Sequence, residues 1–193
     1  MTAATVTRTS KETDITVEIL PEDGKMEIST GIGFFDHMLT ALSVHSQIPM
    51  KIHAVGDIHV DAHHTVEDTG IVLGQALAKA LGHKSGIVRY GSAYIPMDES
   101  LAFCSLDICN RPFLVFNAEF TNPMIGAYDA CLTEEFMRAF AFNAGITLHC
   151  NVLYGKNDHH NTEALYKAVA HALRIASAPA ESGKTLSTKG MLG

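Results

Sequence analysis

The sequence predicts an α+β fold made of two similar halves, each a mostly antiparallel sheet backed by helices. Three observations predict it. First, the motif HHxxE is written twice, at His63, His64 and Glu67 and again at His159, His160 and Glu163 (159−63, 160−64 and 163−67 all give 96, in a chain of 193 residues). Second, strand-type and helix-type patterns follow the same order around both copies, and the motif opens the last helix each time. Third, no Pro/Gly/Ser-rich linker separates the halves, so they should share a core.

Taken along the chain, apolar and polar positions alternate at 14–20, 51–60, 102–108, 111–120 and 146–153, and more weakly at 5–9, which predicts strands. Helical spacing appears at 34–44 (Phe34, Met38, Leu42), 66–81 (Val66, Leu73, Leu77, Leu81), 134–143 and 163–176 (Leu165, Val169, Leu173). Gly82 is a helix stop. Each half thus reads strand, strand, helix, strand, helix. The repeats are expected at 1–90 and 91–180, and the polar segment ESGKTLSTKGMLG, 181–193, as an irregular tail contributing to the substrate site.

Apolar residues make up 47% of the chain and charged residues 18%, which suits an ordinary globule. A net charge of −7 argues against a nucleic-acid surface. No apolar run approaches the roughly 18 residues of a membrane span, and the N-terminus lacks a secretory h-region. The four cysteines form no CxxC pair, which suits reduced thiols in the cytoplasm. Histidine stands out, because its eleven copies outnumber the five tyrosines and cluster in short segments.

Neighbouring residues on a helix diverge by about 100°, so His63 and His64 cannot face one point. Glu67 sits about 40° round from His63 and about 60° the other way from His64. The two histidines of each pair should therefore serve different ions, with the glutamate assisting one. A capping box at Thr65 to Asp68 would instead put the pair on a lead-in turn, with the same divergence. Imidazole suits Mn²⁺, Fe²⁺ or Zn²⁺, and a carboxylate favours Mn²⁺. The bland alternative is a solvated capping pair without metal. Duplication at a fixed offset, with Asp61 and Asp158 nearby, argues for metal, and Asp158 could orient a ligand imidazole.

His37 and His45 lie in GIGFFDHMLTALSVHS, and Glu135 of the second half takes the place of His37. That gives four donors per half. Arg89, Arg111 and Lys167, with Ser187 and Lys189 of the tail, are candidates to surround a phosphate. SGKT at 182–185 is not a phosphate-binding P-loop, because Ala178 stands where a glycine is required.

The stretches GIGFFDHMLTALSVHS, GDIHVDAHHTVEDTGIVLGQAL, RYGSAYIPMDESL, NRPF, FNAGITLHCNV, NDHHNTEALYKAVAHALR and STKGML resemble the imidazoleglycerol-phosphate dehydratase family, over nearly the whole chain. The resemblance implies a duplicated fold of the ribosomal protein S5 domain 2-like kind and a homo-oligomer of 24 subunits with sites at subunit interfaces. It implies a lyase of histidine biosynthesis that dehydrates imidazole glycerol phosphate to imidazole acetol phosphate through an imidazolate held by two Mn²⁺. Metal positions fall on His37, His63, His64, Glu67, Glu135, His159, His160 and Glu163, with Glu135 departing from the usual histidine. Substrate positions fall on Glu12, His37, His45, Arg89, Arg111, Lys167, Ser187 and Lys189. Ala41 departs from the polar residue some members carry. Catalytic proton transfer falls on Glu12, Glu163 and His45. The rival readings are a dinuclear metal hydrolase of phosphate esters, and a non-catalytic metal-binding or shell-forming protein in which the basic residues are dispensable.

Overall fold

Strand alternation buries Ile15, Val17 and Ile19 on one face and leaves their neighbours facing out, and the rest of the first sheet assembles on that face. The computed structural model describes residues 1–180, 183, 186 and 187. The first half runs β1 (Ala4–Thr9), β2 (Thr13–Ile19), β3 (Glu27–Ser29), α1 (Gly33–Ser46), β4 (Met50–Gly56) and α2 (His63–Leu81). The second runs β5 (Tyr90–Met97), β6 (Ser100–Ile108), β7 (Phe113–Asn117), a small hairpin of β8 (Met124–Ile125) and β9 (Tyr128–Asp129), α3 (Leu132–Ala144), β10 (Ile146–Tyr154) and α4 (Asp158–Ser177).

The two sheets have one topology. Their orders are β1-β2-β4-β3 and β5-β6-β10-β7, each antiparallel except for a closing parallel pair, β3 with β4 and β7 with β10. The registers match as well. Ile52 lies between Val17 and Ile28, and Leu148 lies between Leu106 and Leu114. Helices α1 and α3 correspond in the same way. Phe35, Met38, Leu39, Ala41 and Leu42 are buried at the spacing of Thr133, Phe136, Met137, Ala139 and Phe140. Both helices end on a left-handed residue, Gln47 and Gly145. This alignment sets Glu135 at the position of His37.

One apolar cluster runs through both halves. Helix α2 covers β1 and β2 and packs on α3, while α4 covers β5 and β6 and packs on α1. The α2–α3 crossing is close because glycines line it. A Cβ on Gly74 would stand 2.7 Å from the Phe140 carbonyl oxygen, and one on Gly70 would stand 2.9 Å from that of Phe136.

Several elements depart from the sequence pattern for physical reasons. Strand β5 was not expected, since Gly91 and Pro96 interrupt its alternation. It lies at the edge of its sheet, where a proline is tolerated. With β3 (Glu27–Ser29), also not expected, three strands of the main sheet precede the first helix of each half, and in the second half the β8–β9 hairpin follows them. The strand pattern at 51–60 stops at Gly56, because Val60 N–H bonds back to the Asp57 carbonyl and turns the chain. The pattern at 111–120 contracts to Phe113–Asn117. Helix α2 starts at His63 and α4 at Asp158, so both histidine pairs lie in first turns and no lead-in turn carries them. Among the described residues no helix is long and apolar enough to cross a membrane.

Candidate active site

The backbone fixes how each motif begins. The amide of His63 donates to Asp61 Oδ1 at 2.7 Å, and that of His159 donates to Asn157 Oδ1 at 3.0 Å. Both are helix-entry bonds that satisfy an otherwise free N–H. The two rings of each pair then turn to different partners, His63 to Glu67 and His64 to Asp57, His159 to Glu163 and His160 to Glu99. His63 and His64 stand at 90° to each other, and His159 and His160 at 84°.

His37 of α1 meets the second motif. Its Nε2 and that of His159 each lie 3.2 Å from Glu163 Oε2, and Lys167 Nζ holds Glu163 Oε1 at 2.7 Å. Phe34 packs edge-on to His159, with ring centroids 5.0 Å apart. Burial opposes ionisation of Glu163, but the bonds from Lys167 and His37 prevail and hold its carboxyl below the usual range. Among the described residues, His37, His159 and Glu163 are the set of three donors whose ligand atoms lie within 4.8 Å of one another. Two imidazoles and a carboxylate make a donor set that fits Mn²⁺.

The corresponding set of the first half is looser. His63 Nε2 stands 3.6 Å from Glu67 Oε2, while the Glu135 carboxylate faces Arg138 at 3.9 Å. Beside His63 opens a cavity of about 490 Å³ that Asp61, Asp129 and Cys131 also line.

The second histidine of each pair points to acidic groups in turns. His64 Nδ1 lies 3.0 Å from Asp57 and 3.9 Å from Glu12, and His160 Nδ1 lies 2.8 Å from Glu99. Glu12 and Glu99 occupy equivalent places, each the last turn residue before the second strand of its half. Hydrogen bonds donated to Asp57 and Glu99 raise the basicity of His64 and His160, and His160 with the Asn157 amide brings Glu99 down to about 2. With Nδ1 so engaged, Nε2 of each ring is the ligand atom on offer.

The cationic residues separate into two groups. Lys167 touches Met97 Sδ at 3.9 Å, and His45 Nδ1 lies 3.3 Å from His171 Nε2. Arg89 lies just before the other end of β5, where its amide donates to the Ala176 carbonyl of α4, nine residues and roughly 14 Å along the helix axis from Lys167. It holds Asp107 through Nε at 2.7 Å and NH2 at 3.1 Å, donates NH1 to the Leu186 carbonyl and lies over the Tyr90 ring. Its backbone φ of 79° is unusual for a residue with a side chain, and these bonds secure it. Arg111 approaches the same aspartate at 3.7 Å. Ser187 is half-buried beside Leu186, and Lys189, with most of the tail, lies outside the described residues. Among the described residues, Lys167 therefore stands apart from Arg89 and Arg111 within one chain.

Asp57, Glu99, Asp107 and His171 were not singled out in the sequence. Superposing the two β-hairpins would have paired Glu99 with Glu12, and the spacing of four from Glu163 through Lys167 to His171 marks one helix face.

A family model described as imidazoleglycerol-phosphate dehydratase matches residues 30–173. The imidazoleglycerol-phosphate dehydratase of Rhodopseudomonas palustris (strain HaA2) is 53% identical over 196 residues, covering 100% of both chains. The crystal structure of imidazoleglycerol-phosphate dehydratase from Staphylococcus aureus subsp. aureus N315 superposes with a TM-score of 0.84 at 41% identity, over 92% of this chain and 99% of that one. A crystal structure of IGPD from Pyrococcus furiosus gives a TM-score of 0.86 at 38% identity, over 97% of this chain and 100% of that one.

Proposed function

This chain belongs to the imidazoleglycerol-phosphate dehydratase family and is a lyase; we propose that it dehydrates D-erythro-imidazole glycerol phosphate to imidazole acetol phosphate, in histidine biosynthesis, with two Mn²⁺ per active site. The observation that carries this reading is the convergence of His37, His159 and Glu163 from both halves of the chain. These three would hold one ion, and His63, Glu67 and Glu135 the other. His64 and His160 diverge from their neighbours and complete sites in adjacent copies, within an assembly of 24 subunits. Bound there, Mn²⁺ would supply Lewis acidity at the two ring nitrogens and favour the ionised ring.

The protein groups bind, orient and move protons. Loss of water from the glycerol side chain needs a base for a carbon-bound proton and an acid for the departing hydroxyl. Glu163, kept ionised by Lys167, and Glu12, exposed in its turn 3.9 Å from His64, are the carboxylates for that traffic. His45 and Lys167 receive the phosphate beside the ring site. Arg89, Arg111, Ser187 and Lys189 reach it from a neighbouring copy. The four free cysteines suit a cytoplasmic setting.

Incubating the purified protein with Mn²⁺ and imidazole glycerol phosphate should yield a keto product without inorganic phosphate. Phosphate release instead would favour the hydrolase reading. Chelation should disperse the assembly, and an unchanged sedimentation profile would count against ligands shared between copies.

A further inference from the structure

We infer that His171 is a positioning residue for His45: its Nε2–H donates to His45 Nδ1 and holds His45 as the neutral tautomer whose Nε2–H faces the substrate phosphate. The inference rests on the reading above that His45 meets the phosphate. It starts from a contact between two imidazoles, with His45 Nδ1 and His171 Nε2 3.3 Å apart and ring centroids 5.3 Å apart.

Two neutral imidazoles at this distance share one proton, which can sit on either nitrogen. If His45 donated, its Nε2 would be a bare lone pair and would repel a phosphate oxygen. Presenting a donor would then require a second proton on the ring. Burial disfavours that cation, Lys167 and His171 disfavour it further, and Glu163 only partly offsets them. These electrostatic neighbours of His45 all lie on α4. With His171 as the donor, His45 offers Nε2–H while uncharged.

The placement fits a ligand with a ring at one end and an anion at the other. His37 pairs with Glu163 and His45 with His171 at the same sequence separation of 126, so α1 and α4 run parallel along one polar seam. The two pairs lie eight residues apart on each helix, roughly 12 Å along the axis, with Lys167 between them. Lys167 already gives part of its charge to Glu163 at 2.7 Å, so a neutral donor two turns on adds to anion binding. Glu163, Lys167 and His171 follow at intervals of four and share a helix face.

The test compares wild type with His171→Leu, His171→Asn, His171→Gln and His45→Ala, measuring kcat, KM, manganese content and inhibition by inorganic phosphate between pH 6 and 8. His171→Leu should raise KM and the phosphate inhibition constant about tenfold, the size of one lost hydrogen bond, with kcat and manganese content unchanged. Relative to wild type, its KM should also rise with pH, because neutral His45, no longer held, divides between its two tautomers, and only the protonated ring offers an Nε2 donor in every molecule. His171→Asn, too short to reach, should behave the same way. His171→Gln, whose amide nitrogen stands near the imidazole Nε2, should restore wild-type KM and its pH profile. Wild-type KM in His171→Leu, or no rescue by His171→Gln, overturns the role of His171 if His45→Ala does raise KM. An unchanged KM in His45→Ala overturns the phosphate placement itself, and the inference with it.

Discussion

His37 Nε2 lies 3.2 Å from Glu163 Oε2 although 126 residues separate them, so the compact donor cluster exists only because α1 of one half packs on α4 of the other. The same carboxylate accepts from Lys167 on its second oxygen, which keeps it anionic without metal.

Glu163→Gln keeps the shape of this junction and removes its charge. The variant is expected to lose part of its bound manganese, measured by elemental analysis, and roughly 10²–10⁴ in turnover. Wild-type turnover with a full metal complement would remove Glu163 from the mechanism.

Asp57→Asn and Glu99→Gln test the carboxylates behind His64 and His160. Each bond fixes which ring nitrogen is free, and losing it should weaken manganese binding by about 10–100-fold. Titration of the apoprotein with Mn²⁺ measures this, and wild-type affinity in both variants would mean that these contacts do not orient ligands.

Gly74→Ala sets two effects against each other. Alanine is the better helix former by about 1 kcal/mol. Its Cβ, however, would stand 2.7 Å from the Phe140 carbonyl oxygen and 2.9 Å from the Ala144 amide nitrogen, backbone atoms that cannot swing aside. Overpacking of this kind costs roughly 1–3 kcal/mol, so a net loss is expected. A higher denaturant midpoint in the variant would show that the helices separate freely.

Lys84 should make stability depend on alkaline pH. Its ammonium is buried, bonded to the Ala144 carbonyl at 2.8 Å and to Asn110, and burial lowers its pKa from 10.5. Below the lowered value both states carry the proton, and stability does not change. Between that value and 10.5 the unfolded chain binds a proton that the fold does not, so stability rises with pH, and above 10.5 the gain is complete. Denaturant titrations of wild type and Lys84→Met across this range should show the difference between them changing in wild type's favour. Parallel curves would refute the assignment.

The duplication was legible because its signal is local: a motif, its offset and the periodicities around it. Edge strand β5 was not, since Gly91 and Pro96 break the alternation that marks a strand and only pairing with β6 forms one. The motif marks the starts of α2 and α4, while their helical periodicity begins only at Val66 and Glu163, because His63 and His159 are polar and enter the helix through bonds to Asp61 and Asn157 rather than through an apolar stripe. Glu135 was matched to His37 from sequence alone, and the shared burial pattern of α1 and α3 puts the two at corresponding positions.

By itself the sequence determined which residues could be ligands and that each histidine pair must diverge, because a helix turns by about 100° at every step whatever surrounds it. Tertiary structure alone decided the partners. His37 joins His159 and Glu163, Lys167 spends charge on Glu163 rather than standing with Arg89, and His45 meets His171. Those pairings follow from how two sheets' helices pack around a common core. Packing depends on contacts between residues far apart in the chain, which no local spacing encodes.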